Sequence, residues 1–194
     1  MLHSKTSTFL QYVFLLFILI FASPILSTQN YEKHYLTIDD VIKRSFSDPA
    51  SIMSHEISLS DSQKIEIESQ LGMTLDSDTY RVYLPSNNSD SEGYLFVIDE
   101  MGKYHPITLA VHISSDKTVG NVFLLTYRER IGSEVRKPRF LKQFIGKNST
   151  AALQVDNDID GISGATISSW SVSTAVKKVL LITQYIYSEK VASI

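Results

Sequence analysis

The run Asp160-Gly-Ile-Ser-Gly-Ala-Thr166, followed by Ile167-Ser-Ser169, gathers small and hydroxyl-bearing residues just ahead of a long helical pattern. Gly161 and Gly164 permit tight turns and close backbone approach. The first amides of a helix have no partner within it, and the helix dipole places partial positive charge there. Ser163, Thr166, Ser168 and Ser169 bring hydroxyls to the same spot. The chemistry this combination suits is the holding of a phosphate group. On residue types alone a plainer reading competes: Ser163 or Thr166 caps a helix, the glycines make a turn, and so short a motif recurs by chance.

The elements that must position this run follow from periodicity. From Ile167 to Tyr187 the pattern is helical, with Val172, Val176, Val179 and Ile186 on one stripe and Lys177-Lys178 off it. Pro138 to Ile145 reads as a helix with proline near its first turn and Gly146 past its end. Between them and the N-terminal third the period is two. Tyr80, Val82 and Leu84 form one strand face, and Tyr94 to Ile98 form a second strand. Ile107, Leu109, Val111 and Ile113 form a third, and Asn121 to Tyr127 a fourth. Their hairpin-length connections predict an antiparallel sheet. Two helices precede it. Thr37 caps a short one that stops by Asp48-Pro49, and Ser60 with Gln63 makes a capping box for another, closed by Gly72. The expected class is α+β: an antiparallel sheet packed against helices, with a long C-terminal helix starting at the Asp160–Thr166 motif.

Composition sets outer limits. The chain has 194 residues, 43% hydrophobic and 20% charged, enough for one domain with a core. A formal net charge of -3 gives no polyanion-binding signal, so no nucleic-acid partner is expected. With no cysteine there is no disulfide, thiolate metal site, iron–sulfur cluster or covalent haem attachment. Redox chemistry would require a cofactor that needs no sulfur ligand. His34, His55, His105 and His112 show no ligand spacing; they read as structural, and no metal site is expected. Tyr12 to Ala22 is an unbroken apolar run interrupted by Ser23-Pro24, so residues 1–27 read as a secretory signal peptide. Phe9 to Leu26 is 18 residues, close to the roughly 17 that can span a bilayer, so an uncleaved N-terminal membrane anchor is the alternative. Either places the remainder outside the cytoplasm. Residues 28–36 read as a tether and residues 37–194 as a single domain.

The run Asp160–Thr166 resembles the recognition motif of the bacterial flavin transferase, Asp-x-x-Ser/Thr-Gly-Ala-Ser/Thr. All fixed positions match: Asp160, Ser163, Gly164, Ala165 and Thr166. That enzyme moves FMN from FAD onto the last Thr or Ser as a phosphodiester. Upstream, Tyr127-Arg-Glu-Arg-Ile-Gly-Ser-Glu-Val-Arg136 and Phe140-Leu-Lys-Gln-Phe-Ile-Gly-Lys147 resemble the middle of FMN-binding domain proteins. The likeness covers about Ile107 to Lys190.

The resemblance implies FMN attached covalently through its phosphate to Thr166. Asp160, Ser163, Gly164 and Ala165 complete the attachment site, with Asp160 serving the modification; the alternative for Asp160 is a turn with Gly161. It also implies a periplasmic protein, or one on the outer face of the cytoplasmic membrane. Such a protein is matured by a flavin transferase and carries electrons between membrane or periplasmic redox proteins. A flavin-dependent reductase of a small molecule is one alternative, and a secreted interaction module without flavin is another. The family includes the flavin-bearing subunits of the Rnf and sodium-pumping NADH:quinone oxidoreductase complexes. Those carry Glu-Thr-Pro-Gly where this chain has Glu129-Arg-Ile-Gly132, which implies an independent carrier. Arg128, Arg130, Arg136, Lys137, Arg139 and Lys142 form a basic cluster, read as a solvated face or as a group acting on reduced flavin or an acidic partner. Trp170 is expected in the core, with contact to a flavin ring as the alternative.

Overall fold

The structure is a computed structural model that describes residues 31–86 and 90–192. The signal or anchor segment 1–27 lies outside the described residues, as do residues 28–30 of the expected tether. Among the described residues no helix is long and apolar enough to cross a membrane.

Six strands of the described residues form one antiparallel sheet. They are β1 (Lys33–His34), β2 (Ile52–Ser58), β3 (Thr79–Pro85), β4 (Tyr94–Met101), β5 (Pro106–Ile113) and β6 (Val119–Tyr127). Their order is β1-β6-β5-β4-β3-β2, so β2 to β6 is a meander and β1 closes one side. The α+β class expected from the sequence is the class observed. The four expected strands are present, and Tyr80, Val82 and Leu84 are all buried on one face. Two further strands left no pattern to read. β2 is exposed along most of its length, so burial imposes no alternation on it. β1 falls within the segment expected as a tether and pairs Lys33 with Tyr127 and His34 with Thr126.

Helices cover both faces because alternate side chains of the central strands point to opposite sides. On one face, helix α1 (Ile38–Ser45) buries Val41, with Phe46 just after it, against Leu95, Ala110 and Leu125. Thr37 caps it in a reciprocal box with Asp40. The other face carries helix α2 (Asp61–Leu71) and the long helix α4 (Thr166–Ala192), packed over Leu109, Val111 and Leu124. The capping box at Ser60 and Gln63 forms, and Gly72 ends α2 in the left-handed region at φ 70. The expected Pro138–Ile145 helix is shorter: α3 (Pro138–Leu141) runs into a single tighter turn, Lys142–Phe144. Gly146 follows at φ 77, so the helix breaks where glycine permits it.

Val172, Val176 and Val179 of α4 are fully buried, as the stripe predicts. Lys178, expected off that stripe, is buried as well, with only 2% of its surface exposed. Its ammonium donates to Glu100 Oε2 at 2.7 Å, and Glu100 is itself buried. Burial pushes the Glu100 carboxyl above its ordinary range, and the hydrogen bond from Lys178 opposes the shift. His112 is structural: its Nε2 sits 2.8 Å from Glu92 O, with the Phe46 ring edge-on.

Removing one partner of a buried ion pair leaves the other charge without compensation. Lys178→Ala is expected to lower unfolding free energy by about 3–5 kcal/mol in urea titration. Lys178→Met combined with Glu100→Leu is expected to recover most of that loss.

Candidate functional site

Thr166 is the first residue of α4 and its side chain is exposed. The chain enters the helix through Gly164 at φ 81, a backbone state that favours glycine. Next to it Ala165 is buried, and its N–H donates to Ile162 O at 2.9 Å. Ser169, one turn into the helix, has no exposed surface. Its Oγ accepts from Ile162 N–H at 3.2 Å and donates to Ala165 O at 3.0 Å. One hydroxyl therefore staples the motif loop to the first helical turn. Ser163, Gly164 and Thr166 are left facing solvent.

Asp160 is fixed through its backbone. Its N–H donates to Gln143 Oε1 at 2.8 Å, and Gln143 Nε2 donates to Asp160 O at 3.1 Å. The residue itself is exposed. Just upstream, Asp158 Oδ1 accepts from Gln154 N–H at 2.7 Å. Its Oδ2 accepts from Leu153 N–H at 3.1 Å and Lys147 Nζ at 3.3 Å. Partial burial pushes the Asp158 carboxyl up, but these bonds outweigh it and hold the group below its ordinary range. Leu153 and Asp156 take positive φ values of 53° and 68°, a cost these bonds offset. Lys177 holds the same loop from α4, donating to Ser149 O at 2.6 Å and Ala151 O at 2.7 Å.

A third segment meets the helix start from the end of β6. Tyr127 hydroxyl donates to Ile131 O at 2.6 Å and lies 2.7 Å from Ser168 Oγ, from which it accepts. Burial raises the Tyr127 phenol above its usual range. Gly132 is required on two counts. Its φ is 100°, and a Cβ there would come within 2.5 Å of the Tyr127 hydroxyl and 2.7 Å of Ser168 Oγ. Glu129 Oε1 accepts from Tyr104 N–H at 2.6 Å and His105 N–H at 3.1 Å, fixing the β4–β5 turn. Ser171 Oγ donates to Met101 O at 2.6 Å and ties that turn to α4.

Around this junction large apolar side chains stay in water. Ile131 is 77% exposed, Ile167 46% and Trp170 47%. Ile167 and Trp170 are three residues apart and share a helix face beside Thr166. The core role expected for Trp170 is thus corrected: it sits on the side of α4 turned from the sheet. Grouped apolar exposure of this kind marks a binding surface more often than scattered exposure does.

The basic residues do not form one cluster. Arg128 is committed to structure, with its Nε 3.0 Å from Glu32 Oε1 and donated bonds to Pro106 O and Thr108 Oγ1. Arg136 lies over the Tyr35 ring, 4.8 Å from its centroid. Arg130, Lys137, Arg139 and Lys142 are exposed. Among the described residues no group of three histidine, cysteine or acidic side chains is placed to hold a metal.

The site is thus an exposed threonine hydroxyl on the first turn of a long helix, beside an apolar surface, within an α+β domain. Residues 102–181 match the FMN-binding domain family, a span from the β4–β5 turn through the motif and well into α4. The chain therefore contains an FMN-binding domain and is a flavin-binding protein. No curated protein matches it. The residues present suit that cofactor. The first amides of α4 and the exposed Thr166 can take its phosphate, and Ile131, Ile167 and Trp170 are exposed apolar side chains available to a ring.

Gly132→Ala is expected to lower stability by about 1–3 kcal/mol, read by denaturant unfolding, because it forces a side chain into a left-handed position. Tyr127→Phe relieves part of the steric contribution, with Ser168 Oγ still 2.7 Å from the new Cβ. It removes the nearer oxygen that the new Cβ would meet, so in that background the Gly132→Ala cost should shrink but not vanish.

Proposed function

We propose that this protein is an extracytoplasmic electron carrier whose FMN is joined covalently to Thr166. The observation that carries the reading is the exposed Thr166 side chain at the start of α4, inside a complete transferase motif. Thr166 Oγ1 attacks the FMN phosphorus of FAD; the new P–O bond forms, the pyrophosphate bond breaks and AMP leaves. The hydroxyl proton passes to a base of the transferase. One negative charge remains on the phosphodiester, and the α4 amides stabilise it by about 0.3–1 kcal/mol at an exposed terminus. Gln143 holds the Asp160 backbone, so an exposed carboxylate is presented to the transferase in a fixed place.

Bound flavin supplies one- and two-electron exchange. This chain contributes position and access. The exposed Ile131, Ile167 and Trp170 are the apolar side chains against which a ring would rest, and their openness suits electron exchange with a protein partner rather than with an enclosed substrate. A covalent link prevents loss of cofactor outside the cell. The apolar segment at residues 9–26 supports an extracytoplasmic location, in the periplasm or on the outer face of the membrane. Donor and acceptor are then membrane or periplasmic redox proteins. The run Glu129-Arg-Ile-Gly132 favours an independent carrier over a pump subunit.

Coexpression with a flavin transferase should add one FMN less one water to the intact mass. Thr166→Ala should abolish that addition. Asp160→Ala should reduce it about tenfold or more with no change in melting temperature, a fold-change equivalent to about 1.4 kcal/mol. Retention of the added mass by Thr166→Ala would remove the attachment assignment.

A further inference from the structure

The outer edge of β6 is capped at both ends and open between. At one end Val119 N–H donates to Lys147 O and Gly146 N–H donates to Val119 O, both at 2.8 Å. At the other, β1 pairs with Thr126 and Tyr127, and Tyr35 N–H donates to Leu125 O at 2.8 Å. Between these caps, Asn121–Leu124 faces a cleft of about 420 Å³. Leu36, Phe123, Leu141 and Ile145 give it apolar walls. Three cations also line it, Arg44, Arg136 and Lys142, and no carboxylate does. They come from α1, from the turn Ser133–Arg136 and from the turn after α3, so three separate elements converge on the cleft. Among the described residues none of the three forms an ion pair. In a chain of formal net charge -3, three cations around one apolar cleft, of which Arg44 also feels Asp40 on its own helix, create a local field opposite to that of the whole.

We propose that this cleft binds a small amphipathic carboxylate, its apolar body on Phe123, Leu141 and Ile145 and its charge among Arg44, Arg136 and Lys142. The volume falls in the range of about 300–1,000 Å³ typical of small-molecule sites. Guanidinium–carboxylate bonds are among the strongest polar contacts available, and stacking on Tyr35 already orients Arg136. A peptide strand fits less well. The free edge spans only Asn121–Leu124, shorter than the usual strand of about five or six residues, and backbone closes it at both ends. Gln143, which holds Asp160, follows Lys142 directly, so an occupant would abut the turn that positions the motif. The proposal stands independently of the flavin attachment.

Isothermal titration of the full chain with decanoate should show one site with a Kd below about 1 mM. Decyltrimethylammonium and inorganic phosphate, the two comparison probes, should each bind about tenfold more weakly or worse. Arg44→Glu with Lys142→Glu should weaken decanoate binding about tenfold or more. Arg139→Glu, an exposed cation on α3 outside the lining, should change it by no more than about twofold. Melting followed by circular dichroism separates lost binding from lost fold, and Arg136→Gln serves as the second lining variant. The proposal is overturned by no binding of decanoate, by equal affinity for either comparison probe, or by an equal loss in Arg139→Glu.

Discussion

The rest of the site depends on how the first turn of α4 is clamped. A helix that starts in the open, after a glycine and beside a loop, would fray. Here its start is held by hydroxyl groups that are themselves buried. Ser169 joins the motif loop to the helix through Ile162 and Ala165, and Ser168 joins the helix to Tyr127. Behind both stands Gly132, whose missing side chain lets the segment after β6 lie directly against the Tyr127 and Ser168 oxygens. Because the clamp uses neighbours of Thr166 and not Thr166 itself, that residue can be held in place and exposed at once.

The same division of labour runs through the surrounding chain. Gln143 takes the backbone of Asp160 and leaves the residue exposed. Asp158 and Lys177 are spent on loop carbonyls and amides, so the approach to the motif is a shaped segment and not a slack linker. Glu129 organises the β4–β5 turn, and Ser171 binds that turn to α4. The sheet supplies the rigid base, and the polar residues that look reactive in the sequence mostly hold the backbone. What remains outside within the motif is two hydroxyl residues, Ser163 and Thr166, and one acidic residue, Asp160, beside exposed apolar side chains. That is what a covalently held aromatic cofactor with a phosphate needs.

Alternation made β3 and β5 legible, an apolar run and hairpin-length connections did the same for β4 and β6, and the α4 stripe and the capping residues of α1 and α2 carried enough local signal to place those helices. β2 and β1 were hidden because an edge strand in water needs no apolar face. Lys178 was misplaced because its partner Glu100 is 78 residues away, and only the folded sheet brings the two together. Trp170 was expected inside on grounds of type alone, but the side of α4 it occupies is turned away from the sheet. The motif residues were legible from Asp160 to Thr166. Gln143 and Tyr127, which hold them, were not, since a lone glutamine or tyrosine carries no signal until its partner's position is known. Gly132 could have been suspected from its place in the segment resembling the family, but its reasons, a positive φ and the nearness of Tyr127 and Ser168, appear only in the folded chain.

The central claim is that one side chain, Thr166, carries the flavin. Its most direct test is fragmentation of the tryptic peptide 148–177 from protein made with a flavin transferase, since no lysine or arginine interrupts that stretch. The account predicts that every fragment ion containing Thr166 carries the FMN mass and that fragments ending at Ala165 do not. Modification located on Ser163, Ser168 or Thr150, or a peptide with no added mass at all, would contradict it.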